Sequence, residues 1–193
     1  MAEPFIAPLQ AALADLAKWL ETEHISAMVI GGVAASILGR PRLTRDIDAL
    51  AILPEADWPA AVDAAATYGI VPRIEDALAF AHRSRVLLMR HSGSGIDLDI
   101  TLGGLPFERS AVERSKAEHV GDVSVRLPDV ADLVVMKAVA GRPKDLEDIR
   151  GLLDAHPETD FSNARAWIRE FAVATSMPHL LDEFDELLKQ RRP

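Results

Sequence analysis

Residues 96–102 read Ile-Asp-Leu-Asp-Ile-Thr-Leu, a strict alternation of apolar and polar side chains. Successive side chains of a β-strand point to opposite faces, so this pattern predicts a half-buried strand. Ile96, Leu98, Ile100 and Leu102 share the face that a core must cover, and Asp97, Asp99 and Thr101 share the other. Any fold containing this strand sets two carboxylates beside one another at the margin of a core. Like charges in a partly buried setting shift their pKa values or recruit a counter-ion.

A second acidic pair opens another apolar run. Asp46 and Asp48 begin the predicted strand 46–53, which Pro54 ends. Two positions apart, their side chains share a face, with Cα atoms roughly 6.6 Å apart at ~3.3 Å rise per residue. Carboxylates at that spacing can converge on a cation such as Mg²⁺, whose ligands lie at about 2.0–2.1 Å. If the strands 46–53 and 96–102 are neighbours, three carboxylates surround one or two metal ions. That layout suits in-line phosphoryl or nucleotidyl transfer. Face parity does not choose between Asp97 and Asp99.

The remaining pattern predicts an α+β fold: a mixed sheet with flanking helices, followed by a C-terminal helical region. Leu9, Leu13, Leu16 and Leu20 lie on one face of a helix over 8–23. Ala27–Ile30 reads as a buried strand ending in a tight turn at Gly31-Gly32, before a short helix at 33–38. That double glycine lets backbone N–H groups approach a phosphate where a Cβ would clash. A helix over 57–68 has Asp57 at its N-cap and Pro59 in its first turn. The run 91–95, His-Ser-Gly-Ser-Gly, joins strands 85–90 and 96–102 as a hairpin, and a helix follows at 107–116. A small hairpin is predicted about Gly121-Asp122. Helices are predicted at 129–140, 144–155, 161–175 and 179–190. The expected organisation is a core at 1–128 and a helical region at 129–193.

With 193 residues, 49% hydrophobic content and no cysteine, the chain suits a folded domain with a sizeable core and excludes disulfide and zinc–cysteine scaffolds. No run reaches the ~18 apolar residues of a membrane span, and the start, Met-Ala-Glu-Pro, lacks the basic residues of a signal peptide. A cytoplasmic location with no membrane partner is therefore expected. The net charge of −9 argues against wrapping nucleic acid non-specifically. Its distribution modifies that. Residues 40–150 hold 15 basic and 18 acidic side chains, a balance of −3, and the flanks hold the other −6. A local field in the middle of the chain remains suited to a triphosphate or one RNA end.

Gly31-Gly32, the run Arg42-x-Thr44-x-Asp46-Ile-Asp48, the Asp97/Asp99 strand and Lys137-Ala-Val-Ala-Gly-Arg-Pro-Lys-Asp-Leu-Glu-Asp148 together resemble the DNA polymerase β-like nucleotidyltransferases. Within them they are similar to the AbiEii/AbiGii-type toxin group. The resemblance covers roughly residues 27–153, and its last motif is the most specific. Where classical members have Gly-Ser this chain has Gly31-Gly32, a mark of the toxin-like branch. The resemblance implies that Asp46 and Asp48 bind Mg²⁺ (or Mn²⁺). It implies that Asp99, with Asp97 as the alternative metal ligand, completes a catalytic triad and helps deprotonate the acceptor. It implies nucleotide binding by Gly31, Gly32, Arg42, Thr44, Lys137, Arg142, Lys144 and Asp145, with Asp145 and Asp148 orienting the cations. The substrates implied are an NTP and a hydroxyl acceptor, on RNA (tRNA particularly) or protein, and the implied partner is an antitoxin. Two alternatives stand beside this: a non-catalytic binding module of the same fold, and a haloacid-dehalogenase-like phosphatase, whose nucleophile motif Asp97-x-Asp99-x-Thr101 matches. Such phosphatase motifs open an α/β core, and here only a hairpin and helices follow.

Overall fold

The computed structural model describes residues 6–191. In chain order they form α1 (Ile6–Thr22), β1 (Ser26–Ile30), α2 (Gly31–Leu38), β2 (Asp46–Ile52), α3 (Trp58–Ala65), β3 (Ile70–Pro72), α4 (Ala77–Ser84), β4 (Val86–His91), β5 (Asp97–Leu102), α5 (Pro106–Arg114), β6 (Lys116–Val120), β7 (Val123–Leu127), α6 (Val130–Ala140), α7 (Pro143–Ala155), α8 (Ser162–Ala174) and α9 (His179–Lys189). They divide into two compact units. One comprises the chain up to Gly32 together with Thr44–Leu127, and the other Val33–Leu43 with the chain from Pro128.

In the first unit a five-stranded sheet runs β1-β2-β5-β4-β3, and β6 and β7 form a separate hairpin. β2 and β5 are parallel, and the other pairs are antiparallel. The alternation along β5 works as the sequence dictates. Leu98, Ile100 and Leu102 are buried, and Asp97, Asp99 and Thr101 are half-buried. Ile47, Ala49, Leu87 and Met89 extend the same buried layer, and Ala12, Leu13 and Leu16 of α1 are fully buried. At the β4–β5 turn, His91 Nδ1 lies 2.7 Å from Ser94 Oγ and 3.2 Å from Ser94 N, and its Nε2 lies 2.9 Å from Asp15 Oδ2. That buried histidine fastens the hairpin whose second strand carries the acids.

Two local differences from the sequence reading have physical reasons. Gly31-Gly32 is not a free-standing turn: it forms the first residues of α2, entered through Gly31 at φ +62°. Residues 69–84, which show no clear period, form β3 and α4. β3 is only three residues long and ends on Pro72, so its existence depends on pairing with β4.

The second unit is helical. Gly141, at φ +61°, ends α6 in the left-handed conformation, and Pro143 opens α7. Arg165 of α8 grips Asp185 of α9 through two hydrogen bonds of 2.6 Å. Residues 33–43 group with these helices rather than with the sheet. His156 Nε2 meets Leu38 O at 2.6 Å, and Arg40 pairs with Asp154. Gly39 lies so close to α7 that a Cβ there would sit 3.2 Å from Leu152 N. No helix among the described residues is long and apolar enough to cross a membrane.

Candidate active site

The acidic face of the first unit follows from the β2–β5 register. Asp46 stands opposite Asp97, and Asp48 opposite Asp99. Paired residues of neighbouring strands share a face, so four carboxylates form two rows on one side of the sheet. At a strand spacing of ~4.8 Å, two unit charges repel by about 3 kcal/mol at an effective dielectric of 20, less with solvent screening. The fold offsets this charge with groups on both sides. Thr44, itself buried, donates its hydroxyl to Asp46 Oδ1 at 3.0 Å and so orients that carboxylate. Arg90 Nε donates to Asp97 Oδ1 at 2.7 Å. Arg73 Nη1 lies 3.1 Å from Asp97 Oδ2 and its Nη2 lies 2.7 Å from Asp99 Oδ1.

These surroundings separate Asp97 from Asp99, which strand parity cannot do. The Arg90 hydrogen bond holds the Asp97 carboxyl below the ordinary carboxylate value, with Arg73 adding to it against partial burial. Asp99 moves the other way. Burial pushes its pKa up, and the charges of Asp48, Asp46 and Asp97 push further, opposed only by Arg73. Although Arg73 is close, its geometry makes no hydrogen bond, and Asp99 Oδ1 is buried without a donor. A carboxylate oxygen that accepts no hydrogen bond and stands among repelling acids, with only the part-exposed Arg73 to offset it, is a site that a divalent cation would relieve.

Gly31 supplies a further constraint. A Cβ at this position would lie 1.9 Å from Asp48 Oδ2, 2.5 Å from its Cγ and 2.7 Å from its Cβ. The first glycine of the pair is therefore the residue against which Asp48 packs. Its role in the fold is to make room for that carboxylate, which the sequence reading does not identify.

The last motif forms a separate charge network in the second unit. Lys137 is only 3% exposed, and its Nζ donates to Asp145 Oδ1 (3.1 Å) and to Asp148 Oδ2 (2.7 Å). Asp148 also accepts from Arg42 Nε (2.7 Å) and Nη2 (3.0 Å). Asp145 accepts from Arg142 Nε (2.5 Å) and Nη2 (3.1 Å), and from the Arg142 backbone N–H (3.3 Å), which caps α7. Burial raises both carboxyls, but hydrogen bonds from Arg142 and Lys137 to Asp145, and from Arg42 and Lys137 to Asp148, outweigh it and leave both below the ordinary value. Lys137 thus meets its acids in the interior, while Arg42 (34%) and Arg142 (57%) remain partly exposed. Lys144 is exposed on α7. On the α7 surface, Arg150 pairs with Glu147.

The structure therefore gathers the expected residues in two sets, one in each unit. Gly31, Thr44, Asp46, Asp48, Asp97 and Asp99 lie in the first, with Gly32 following Gly31 into α2. Arg42, Lys137, Arg142, Lys144, Asp145 and Asp148 lie in the second. Two further points differ from expectation. Among the described residues no group of three or more His, Cys, Asp or Glu side chains forms a ready-made metal cage. Instead, Arg73 and Arg90 reach into the acids. Arg73 is the residue that sequence reasoning misses, because the short β3 that positions it carries no periodic signal. Glu108 accepts the N–H groups of Gly104 and Leu105 at 2.7 and 2.8 Å and caps α5. The donor chemistry still suits a hard divalent cation: oxygen atoms only, one of them accepting no hydrogen bond, with Gly31 clearing space for another.

The mixed sheet with its flanking helices is similar to solved nucleotidyltransferase folds. The antibiotic-resistance factor ANT(2'')-Ia in solution has a TM-score of 0.57 at 15% identity, over 89% of this chain and 97% of that one. Its crystal structure in complex with adenylyl-2''-tobramycin has a TM-score of 0.57 at 15% identity, over 86% and 99%. An antigenic nucleotidyltransferase-like protein from Paracoccidioides brasiliensis has a TM-score of 0.51 at 14% identity, over 90% and 92%. No curated protein matches the chain in sequence. The chain belongs to the family described as nucleotidyl transferase AbiEii toxin of a type IV toxin–antitoxin system, which it matches over residues 14–192. It is a nucleotidyltransferase enzyme of that toxin family.

Proposed function

We propose that this enzyme moves a nucleoside monophosphate from an NTP to a hydroxyl in a reaction that depends on Mg²⁺ or Mn²⁺, and that it acts as the toxin of a toxin–antitoxin pair. The observation that carries the reading is the register of β2 and β5, which sets Asp46 beside Asp97 and Asp48 beside Asp99 on one face. Asp46, Asp48 and Asp99 would hold the cation, with Asp97 beside them. Bound there, a divalent cation supplies charge neutralisation for the triphosphate and a template for in-line attack.

The chain's own residues supply the rest. Thr44 fixes the Asp46 carboxylate, and Gly31 fixes the space for Asp48. Asp99, which the register sets opposite Asp48, is the carboxylate assigned to help take the proton of the attacking hydroxyl. The resemblance assigns Arg42, Arg142 and Lys144 to nucleotide binding, and within the second unit these cations are at least partly exposed. Lys137 is a positioning residue, because it touches Asp145 and Asp148 and through them holds the two arginine forks. The acceptor class is RNA, tRNA in particular, or a protein hydroxyl. The basic residues between 40 and 150 support an anionic acceptor. The toxin reading implies an antitoxin protein as partner and a cytoplasmic site of action.

The test is transfer from each of four α-labelled NTPs into a mixed RNA pool and into protein, with Mg²⁺, Mn²⁺ or EDTA and with Asp48→Ala as control. The proposal expects label in one acceptor class, lost with EDTA and in the variant. No label from any NTP into either pool would favour a non-catalytic module.

A further inference from the structure

We infer that Arg73 is a built-in counter-ion of the acidic face, which a divalent cation must displace from Asp99 before the site is loaded. The inference rests on the metal-dependent reading above. Its basis is a row of residues across the sheet. The β3–β4 register pairs Ile70 with His91, Val71 with Arg90 and Pro72 with Met89. One step further, Arg73 N–H donates to Leu88 O at 3.0 Å, which sets Arg73 opposite Leu88. Leu88 pairs with Asp99, and Asp99 with Asp48. Arg73, Leu88, Asp99 and Asp48 therefore lie in one transverse row and share a face. Two strand spacings, about 9.6 Å, separate the backbones of Arg73 and Asp99. An extended arginine and an aspartate together span that distance across Leu88. Sheet register thus aims the guanidinium at the acids.

The two acids it reaches are not equivalent. Asp97 keeps Arg90 when Arg73 leaves, since Arg90 Nε donates to its Oδ1. Asp99 has no such second arginine among the described residues, and its Oδ1 accepts no hydrogen bond even with Arg73 2.7 Å away. Charge without hydrogen-bond geometry is what a placeholder provides. A metal at Asp99 needs the oxygen that Arg73 faces, so the two cations compete for one site. Arg73, Asp97 and Asp99 are 22%, 33% and 37% exposed at the side chain, which leaves the fork room to withdraw.

A structural role and a placeholder role have opposite signatures. If Arg73 only shapes the site, Arg73→Ala weakens metal binding. If it competes, the same change tightens metal binding and destabilises the metal-free protein. Losing two part-exposed ion pairs, each a modest contribution, predicts a Mn²⁺ Kd about two- to thirtyfold lower. The experiment is calorimetric titration of Mn²⁺ into the wild type, Arg73→Ala, Arg73→Lys and Asp48→Asn, with thermal unfolding of each with and without Mn²⁺. Expected are tighter binding by Arg73→Ala, a smaller gain for Arg73→Lys, whose ammonium cannot bridge two carboxylates, and a larger Mn²⁺-dependent rise in Tm for Arg73→Ala than for the wild type. An unchanged or weaker Kd in Arg73→Ala overturns the placeholder role while the metal site stands. Should Arg73→Ala not fold, an unchanged or weaker Kd in Arg73→Lys overturns it equally. If Mn²⁺ does not bind the wild type, or binds Asp48→Asn as well as the wild type, the metal reading falls and the inference with it.

Discussion

Gly31→Ala is a one-carbon change that the structure predicts to be severe. Two costs add. Gly31 sits at φ +62°, where an L-residue costs roughly 1–2 kcal/mol. The new Cβ would also lie 1.9 Å from Asp48 Oδ2, 2.5 Å from its Cγ and 2.7 Å from its Cβ. Three atoms of one carboxylate side chain are too close, so a small rotation of its tip does not relieve the contact. The Asp48 carboxylate must move by on the order of 1 Å, a displacement that can cost about 100-fold in rate. Gly95→Ala separates the two terms. Gly95 has φ +73°, and a Cβ there meets nothing within 4 Å. It carries the backbone strain without the collision. Gly95→Ala should lose about 2–8 °C in Tm, at 2–4 °C per kcal/mol for a chain of this size, and Gly31→Ala, which adds the collision, more than that. Only Gly31→Ala should also lose about 100-fold in label transfer, measured in single turnover at saturating NTP. Transfer by Gly31→Ala within about twofold of the wild type, or an equal loss in Gly95→Ala, would refute the idea that the glycine makes room for the carboxylate.

Other substitutions test other parts of the account. Lys137→Met leaves two buried carboxylates short of a cation and should cost about 3–5 kcal/mol in urea unfolding, as breaking buried ion pairs does. Asp145 and Asp148 have folded-state pKa values below their unfolded ones. Their stabilisation is therefore complete above the unfolded carboxylate value of about 3.9 and lost as pH falls through the lower folded values. Tm against pH should drop steeply below about pH 4 in the wild type and less steeply in a protein carrying both Asp145→Asn and Asp148→Asn. Asp99→Asn should abolish transfer, whereas Asp97→Asn, which removes an acid already balanced by Arg90, should keep a measurable rate; equal losses would contradict the separation of the two. Thr44→Val frees the Asp46 carboxylate at a cost of about 0.5–1.5 kcal/mol, and should lower the transfer rate more than it lowers Tm.

The parts of this molecule that repeat locally are visible in its sequence, and those made by tertiary pairing are not. The alternation of 96–102 states both the strand and which side chains share its acidic face, and the leucine spacing of α1 states its buried stripe. Asp46 and Asp48 are legible as a pair because two positions along a strand return to the same side. What parity could not do was separate Asp97 from Asp99, since the difference lies in Arg90 of β4 and in Arg73, which follows β3. Arg73 was hidden further, because a three-residue strand ending in proline has no period to read. The burial of Lys137 was hidden by the same locality. Its acids stand 8 and 11 residues on, and only the folding of α7 against α6 brings them to its Nζ. Gly31-Gly32 was visible as a special backbone position, but the reason for it, the Asp48 side chain, lies on the neighbouring strand.

The central claim is that the acids of β2 and β5 support transfer of a nucleoside monophosphate. Paired reactions with one NTP carrying either an α- or a γ-phosphate label test it most directly. The account predicts α-label in the acceptor and γ-label released as pyrophosphate, with both signals lost in Asp48→Asn. γ-Label in the acceptor, or α-label transferred equally well by Asp48→Asn, would contradict it.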